Sequence, residues 1–444
     1  MQRPLDRSAF AIRQALGRTF RQFPLARDLV RGAMNAFFRV ALLPFGRNRR
    51  GGVARESSAL VAETDTLNEA AERYFADFED REFILGKPFT DEAGFTRHLV
   101  SLGILLDGLR LRRRDVVAEF GAGTCWVSHF INRFGCRTIS IDVSASALAL
   151  GEELFRRDPA TRWDVGPEFR VYDGHQLPLD DASVDRVIIV DAFHHVPNQR
   201  EVLTEFHRVL KADGIVAMSE PGRGHAGTCA SQMEVSKHGV LENELVVEDV
   251  AALALACGFA AAHVIVGSVD ALWEIPADDV GKFIQGKGFP RYWDNLSDSL
   301  LAHHYLLLYK GDPRPTTAQP KATGARLRAR SATIEATAGQ PASVTVELQN
   351  TAETRWLAAE GTGWTRFGAH LYRAGELEEL LDYDWLRAAL PRDLDQYDRE
   401  TMTVTLPPIA EPGTYRVEFD LVLEGVMWFG DRGSPTESVT LCVR

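Results

Sequence analysis

The residues of this chain best placed to do chemistry lie at the ends of short apolar runs. Val116-Val117-Ala118-Glu119-Phe120 is one such run, and Gly121-Ala122-Gly123-Thr124 follows it directly. A buried strand entering a glycine turn brings backbone close to a ligand, because glycine has no Cβ and tolerates positive φ. Glu119, at the end of the strand, is placed to receive a positively charged amino group. A dinucleotide-binding loop carries a third glycine three residues after the second. Trp126 stands at that position here, and an indole would crowd a pyrophosphate, so a nucleoside without phosphates is the expected ligand.

Asp142 closes the run Ile139-Ser140-Ile141, nineteen residues after Gly123. A carboxylate there accepts hydrogen bonds from both hydroxyls of a ribose. Asp173, at the end of a third run, is placed to accept from an exocyclic adenine amine, and Gly174 lets the base approach the backbone. His194 and His195 follow a fourth run, Arg186 to Asp191. Histidine is the usual base for a hydroxyl proton, and these two fall on the edge where open α/β sheets bind ligands. A packing or hydrogen-bonding role is the competing reading for both. His175, Glu220 and His225 are weaker candidates from neighbouring loops. No metal triad is recognisable, so metal-independent chemistry is expected.

The elements that must position these residues alternate. Strands are expected at Val116 to Phe120, Thr138 to Asp142, Phe169 to Asp173, Arg186 to Asp191 and Ile215 to Glu220. Helices are expected at Cys125 to Phe134, Ala145 to Phe155 and Gln199 to Leu210, with a further helical stretch from Ala62 to Leu111. Such alternation implies βαβ units and a parallel sheet. After Glu220 the rhythm changes to a helix at Val247 to Cys257 and late strands at His263 to Gly267 and Tyr305 to Lys310.

Around this core the chain of 444 residues, 45% hydrophobic and 25% charged, has globular usage. Its net charge of −12 gives no reason to expect nucleic acid as a partner, because phosphate binding needs a basic surface. The first 55 residues nevertheless hold twelve arginines, no lysine and two acidic residues. Leu29, Ala33, Phe37 and Val40 share one face of a helical pattern, with Arg27, Arg31 and Arg39 on the other. That arrangement suits an anionic membrane surface or a cover for an apolar patch of the same protein. Five scattered cysteines without C-x-x-C spacing fit a reducing cytoplasm.

The series Glu119-Phe120-Gly121-Ala122-Gly123, Asp142-Val143, Asp173-Gly174 and Asp191-Ala192-Phe193-His194-His195 resembles the motifs of class I S-adenosylmethionine-dependent methyltransferases. So do Glu205-Phe206-His207-Arg208-Val209-Leu210-Lys211 and Met218-Ser219-Glu220-Pro221-Gly222. The resemblance covers about two hundred residues in order. It implies an α/β fold with a seven-stranded Rossmann-like sheet whose last strand is antiparallel, and S-adenosylmethionine as cofactor. By it Glu119 holds the methionine amino group, directly or through water, and Asp142 the ribose diol. Asp173 with Gly174 holds the adenine, and Asp191 and Ala192 line the pocket beside the transferable methyl. Phe120, Gly121, Ala122, Gly123 and Val143 complete the cofactor set. Cys125 departs from the pattern, since many members carry a further glycine there; an altered loop packing is the expected consequence.

Residues 313–323, with three prolines, read as an interdomain linker between a methyltransferase domain at 59–312 and an all-β unit at 324–444; residues 1–58 form the Arg-rich segment. Ser343 to Gln349, Met402 to Leu406 and Tyr415 to Val422 alternate as half-buried strands do. Asn350 to Trp356 and Pro412 to Phe429 resemble an immunoglobulin-like sandwich that accompanies bacterial surface-polysaccharide assembly proteins. Trp356, Trp364, Trp385 and Trp428 either present faces to sugar rings or fill the sandwich core. The combination implies a glycan or glycolipid acceptor, O-methylated in the cytoplasm, with peripheral inner-membrane contact through residues 1–58. Methylation of a small molecule or lipid, and a non-catalytic scaffold with a carbohydrate-binding sandwich, are the alternatives. A nicotinamide dehydrogenase is opposed by Trp126 and by the late antiparallel strands.

Overall fold

The short aliphatic runs become the strands of one sheet in the computed structural model, which describes residues 57–78, 80–90, 94–267, 272–320, 322–375 and 378–444. The Arg-rich amphipathic pattern of the first 56 residues lies outside them. In chain order the strands are β1 (Val116–Phe120), β2 (Arg137–Asp142), β3 (Glu168–Val171), β4 (Val184–Val190), β5 (Leu210–Pro221), β6 (Ala261–Val264) and β7 (His303–Tyr309). Their spatial order is β3-β2-β1-β4-β5-β7-β6. β1 to β5 are parallel, and β7 runs antiparallel between β5 and β6.

The expected stretch from Ala62 to Leu111 is three helices, α1 (Ser57–Ala76), α2 (Arg81–Leu85) and α3 (Gly94–Leu109). Those that follow are α4 (Trp126–Phe134), α5 (Ala145–Arg157), α6 (Gln199–Val209), α7 (Cys229–His238), α8 (Val247–Ala256), α9 (Val280–Ile284) and α10 (Pro290–Ala302). Because side chains alternate along a strand, the sheet has two buried faces. Ala118, Ile139, Ile141, Val187, Val216 and Met218 pack on one side with Val202, Leu203 and Phe206 of α6. Val117, Ile188, Ile215 and Leu307 pack on the other with Leu102 and Leu105 of α3 and Val127 and Ile131 of α4. Trp126 joins that second layer, 6% exposed and edge-on to His98. Its indole therefore packs a helix; it does not crowd the ligand side of the glycine turn, as the sequence had suggested.

The chain divides after Asp312, and the second compact unit runs Pro313–Arg444. It contains a three-stranded sheet, β13-β10-β8, and a sheet of order β12-β11-β14-β16-β9 with β15 pairing β14. The strands are β8 (Ala325–Ala329), β9 (Thr333–Ala336), β10 (Ala342–Asn350), β11 (Thr365–Arg373), β12 (Glu379–Ala389), β13 (Arg399–Leu406), β14 (Gly413–Leu423), β15 (Met427–Trp428) and β16 (Glu437–Val443). Val346 and Leu348 of one sheet share a core with Phe367, Phe419 and Leu441 of the other.

One expectation changes here, and one of two open alternatives is decided. The segment read as an interdomain linker packs within this unit: Thr316 pairs in parallel with Arg355, and the fully buried Thr317 donates its hydroxyl to Gly363 O at 2.6 Å. Backbone bonds from Thr317 N to Arg355 O and from Arg355 N to Pro315 O, each 2.9 Å, hold the same stretch. Trp356 and Trp428 are 0% and 7% exposed. Phe429 meets Trp356 edge-on, and the Arg387 guanidinium lies 4.2 Å over Trp428, so neither offers a face to a sugar. Trp364 and Trp385 are half-buried.

Candidate active site

The glycine turn after β1 is held by a carboxylate from the next strand. Asp142 Oδ2 accepts from Gly123 N at 2.7 Å and Oδ1 from Ser144 N at 2.9 Å. Gly121 and Gly123 take φ of +65° and +49°, the left-handed region that glycine occupies without strain. A methyl on Gly121 would overlap the Cβ of Ala192 at the exit of β4, so this glycine brings two strand ends together. Burial raises the pKa of Asp142 against the opposing effect of its backbone donors.

Glu119 lies under the first turn of α4. Its Oε2 accepts from Ser128 N at 2.8 Å. Ser128 is the third residue of α4, whose N-cap, Cys125, makes no side-chain cap bond. The carboxylate thus satisfies an N-terminal helix donor from outside the helix. Burial pushes the Glu119 pKa up to about 8, opposed by the Ser128 bonds and reinforced by the charge of Asp142. The side chains of Phe120 and Ala122 are turned away, 6% and 4% exposed: Phe120 packs against Tyr172 and Phe206, Ala122 beside Cys125 and Leu148. Only their backbone can meet a ligand. Val143 is half-buried against the first core layer.

α1 lies across these strand ends, a role the sequence reading did not assign. Glu72 accepts from Ser144 Oγ at 2.7 Å and from Ser146 Oγ and N, and those hydroxyl and amide bonds lower its pKa in spite of burial. One turn earlier, Asn68 Nδ2 donates to Asp173 O at 2.9 Å. A methyl on Gly174, where φ is +94°, would lie 2.5 Å from Thr64 Cγ2 and 2.7 Å from Asn68 Nδ2. The space expected for a base beside Gly174 is therefore taken by α1. Asp173 is exposed, and its Oδ1 closes a turn by accepting from His175 N and Gln176 N. Thr64, Asn68 and Glu72 repeat every four residues, a polar stripe on one helix face; that spacing was the available signal.

Beyond β4 the loop is organised by Glu220 of β5. Glu220 Oε1 accepts from Ala192 N at 3.0 Å and Phe193 N at 2.8 Å, and Oε2 accepts from His194 N at 3.3 Å and His194 Nδ1 at 2.8 Å. Burial opposes the charged imidazolium, yet the Glu220 hydrogen bond and the surrounding carboxylates outweigh it and raise the His194 pKa. The same hydrogen bond holds the buried Glu220 carboxyl below its ordinary value. Asp191 is exposed at φ +50° and donates its N–H to Ser219 O at 2.9 Å. A non-glycine residue in this region stores backbone strain, which concentrates at functional sites.

The two histidines differ. His194 is buried with Nδ1 committed to Glu220, whereas the half-exposed His195 directs Nδ1 at Leu241 O, 3.8 Å between ring centroids separating the pair. A carbonyl only accepts, so Nδ1 of His195 carries the proton and Nε2 keeps a lone pair. Glu242, on the loop after α7, accepts from His225 Nε2 at 2.6 Å. The structure thus gathers Gly121, Gly123, Glu119, Asp142, Asp191 and Ala192 at one edge of the sheet with His194 and His195. It adds Glu72, Asn68 and Glu242, which no strand-end motif marks.

The family model described as a methyltransferase domain matches residues 118–218. The chain is 27% identical over 173 residues to an uncharacterized 37.1 kDa protein in transposon TN4556 of Streptomyces fradiae, covering 36% of this chain and 48% of that protein. It is 28% identical over 109 residues to the sterol 24-C-methyltransferase of Eremothecium gossypii, covering 24% of this chain and 28% of that enzyme. The chain therefore spans about half the length of one curated relative and little more than a quarter of the other. The solved geranyl diphosphate C-methyltransferase of Streptomyces coelicolor A3(2), in complex with S-adenosyl-L-homocysteine, is similar at 14% identity and a TM-score of 0.38, over 55% of this chain and 97% of that one. The residues that match a methyltransferase domain run from β1 into β5, the strands whose ends build the site.

Proposed function

We propose that the chain transfers a methyl group from S-adenosylmethionine to a hydroxyl of a sugar, in a surface polysaccharide or its lipid-linked precursor. The observation that carries the transfer chemistry is the shared edge where Asp142 fixes the glycine turn, Glu119 sits beneath α4 and His195 keeps a lone pair on Nε2. Glu119 receives the methionine ammonium, Asp142 the ribose diol and Asp173 the adenine amine. Asp191 and Ala192 flank the methyl. The acceptor oxygen attacks the methyl carbon as the bond to sulfur breaks, and the electron pair stays on sulfur. Such a displacement is accelerated chiefly by alignment and exclusion of water. The hydroxyl proton passes to His195 Nε2; His194, locked to Glu220, positions the loop.

The glycan reading rests on the second unit. Two sheets on one core, and Tyr415 donating its hydroxyl to Glu411 O at 2.9 Å near the start of β14, support an immunoglobulin-like sandwich, where such a tyrosine corner recurs. A small hydroxylated molecule is the second reading, favoured by the burial of the His194 and Glu242 side chains, 4% and 7% exposed, beside His195. Five unpaired cysteines support a reducing compartment. Among the described residues no helix is long and apolar enough to cross a membrane. Contact with an anionic inner-membrane surface is assigned to residues 1–58, and salt-sensitive partition onto anionic but not neutral vesicles tests it.

The deciding experiment supplies labelled methyl donor with matched polymeric, lipid-linked and monosaccharide acceptors. Label in polymer or lipid-linked glycan supports the first reading. Label confined to small molecules supports the second, and S-adenosylmethionine binding without transfer to any acceptor leaves a scaffold.

A further inference from the structure

Three segments far apart in sequence bring two imidazoles and a carboxylate together beyond the ends of β4 and β5. The donor atoms of His194, His225 and Glu242 all lie within 4.8 Å of one another. His225 Nε2 is 2.6 Å and His194 Nε2 3.8 Å from Glu242 Oε2. The rings of His194 and His225 stand at 86° to each other with centroids 5.0 Å apart, edge to face and not stacked. We propose that these three residues form a binding site for a zinc-class divalent metal ion.

The chemistry of the set fits. Two imidazole nitrogens and one carboxylate oxygen are ligands of a borderline-soft divalent ion, and three protein ligands leave the open position found in catalytic sites. With bonds of about 2.0–2.1 Å, ligand atoms around a tetrahedral ion stand about 3.3 Å apart. The two separations from Glu242 Oε2 lie on either side of that figure, so the 2.6 Å contact opens and the 3.8 Å contact closes by well under 1 Å. His194 is already oriented for the task. Glu220 takes its Nδ1–H at 2.8 Å, which leaves Nε2 as the ligating nitrogen, and a carboxylate behind a metal-bound histidine is the usual outer support. Glu220 and Glu242 also bring two carboxylates, with side chains 3% and 7% exposed, against one imidazole; a divalent cation offsets such buried negative charge. Ser231 Oγ, 3.3 Å from His225 Nε2, is the neutral neighbour that an arriving ion displaces.

The site does not depend on the glycan reading. Use of its open position does rest on the methyl-transfer reading: an acceptor hydroxyl or vicinal diol would occupy it beside Asp191 and Ala192, next to His195.

The test uses the full chain, stripped with a chelator and titrated with cobalt(II) and zinc(II). One equivalent per chain is expected, with the intense visible bands of four- or five-coordinate cobalt(II), and zinc should displace it. Glu242→Gln, which preserves side-chain shape, and His225→Ala should each weaken the ion by more than about a hundredfold, beyond the ten- to hundredfold typical of outer-shell losses. S-adenosylmethionine affinity, measured by calorimetry on the same samples, should stay within about twofold, which shows that the variants fold. Absence of stoichiometric cobalt, or equal binding by the variants, overturns the site. Loss of S-adenosylmethionine binding in the parent protein would instead count against the methyltransferase reading.

Discussion

Gly151 of α5 leaves the room that the Cys125 thiol fills. A methyl on Gly151 would overlap Cys125 Sγ and stand 2.8 Å from its Cβ and 3.2 Å from Thr124 O. Cys125 keeps the left-handed backbone, φ +58°, that a glycine would adopt at this point of the turn. The departure from the family pattern is thus accommodated by a missing side chain on the neighbouring helix.

Gly151→Ala should accordingly cost about 1–3 kcal/mol, the range for overpacking a tight contact. Cys125→Gly should remove most of that cost, giving a coupling of roughly 0.5–3 kcal/mol in a double-mutant cycle. Thermal or denaturant unfolding of the four proteins measures it, and strictly additive effects would show that the two residues are energetically independent.

Glu119 makes stability and cofactor binding depend on pH. With its folded pKa near 8, above the ordinary carboxyl value, it keeps its proton in the fold where the unfolded chain has lost it. Stability therefore falls as pH rises from the ordinary carboxylate range through about 8, and is greatest below that window. An ammonium group arriving beside Glu119 favours the ionised form, so S-adenosylmethionine binding should release a proton below about pH 8 and none well above it. Calorimetry in buffers of different ionisation enthalpy detects the proton. Glu119→Gln keeps an oxygen for Ser128 N and should abolish the release; an unchanged proton count would assign it elsewhere.

Asp142→Ala removes the acceptor of two backbone N–H groups as well as the proposed ribose contact. Affinity for S-adenosylmethionine should fall by more than about tenfold, and each orphaned donor should cost about 1–3 kcal/mol of stability. A variant that melts earlier yet binds with parental affinity would leave Asp142 as a loop anchor and nothing more.

Trp356 and Tyr415 support the second unit from inside. Trp356→Ala should lower the stability of the unit by about 3–5 kcal/mol, and Tyr415→Phe by about 1 kcal/mol through loss of the bond to Glu411 O. Trp385→Ala, at a half-buried site, should cost less than Trp356→Ala. A glycan-binding assay in which Trp356→Ala lost affinity while unfolding normally would contradict its place in the core.

The alternation of apolar runs with helical patterns was enough to define the strands from β1 to β5 within a few residues. In a parallel sheet every strand delivers its end residue to the same edge, so Glu119, Asp142, Asp173 and Asp191 could be ranked as a set from order alone. Boundaries failed where local signals compete: β5 begins at Leu210, five residues before the expected Ile215, because the segment joins β4 through a register shift at Val184/Arg186. Burial of the tryptophans was undecided in sequence, since an indole suits a core and a binding face equally.

What the sequence by itself determined was the order of elements, the glycine turn and the carboxylates that close successive strands, because these follow from periods of two and 3.6 and from backbone freedom at glycine. Only the tertiary structure decided which loops converge. Glu72 and Asn68 reach the strand ends because α1 lies across them, and Glu220, His194, His225 and Glu242 meet because the loop after β5 returns over β4. Such contacts carry no period in the chain; they are fixed by packing and by the need of buried polar groups for partners.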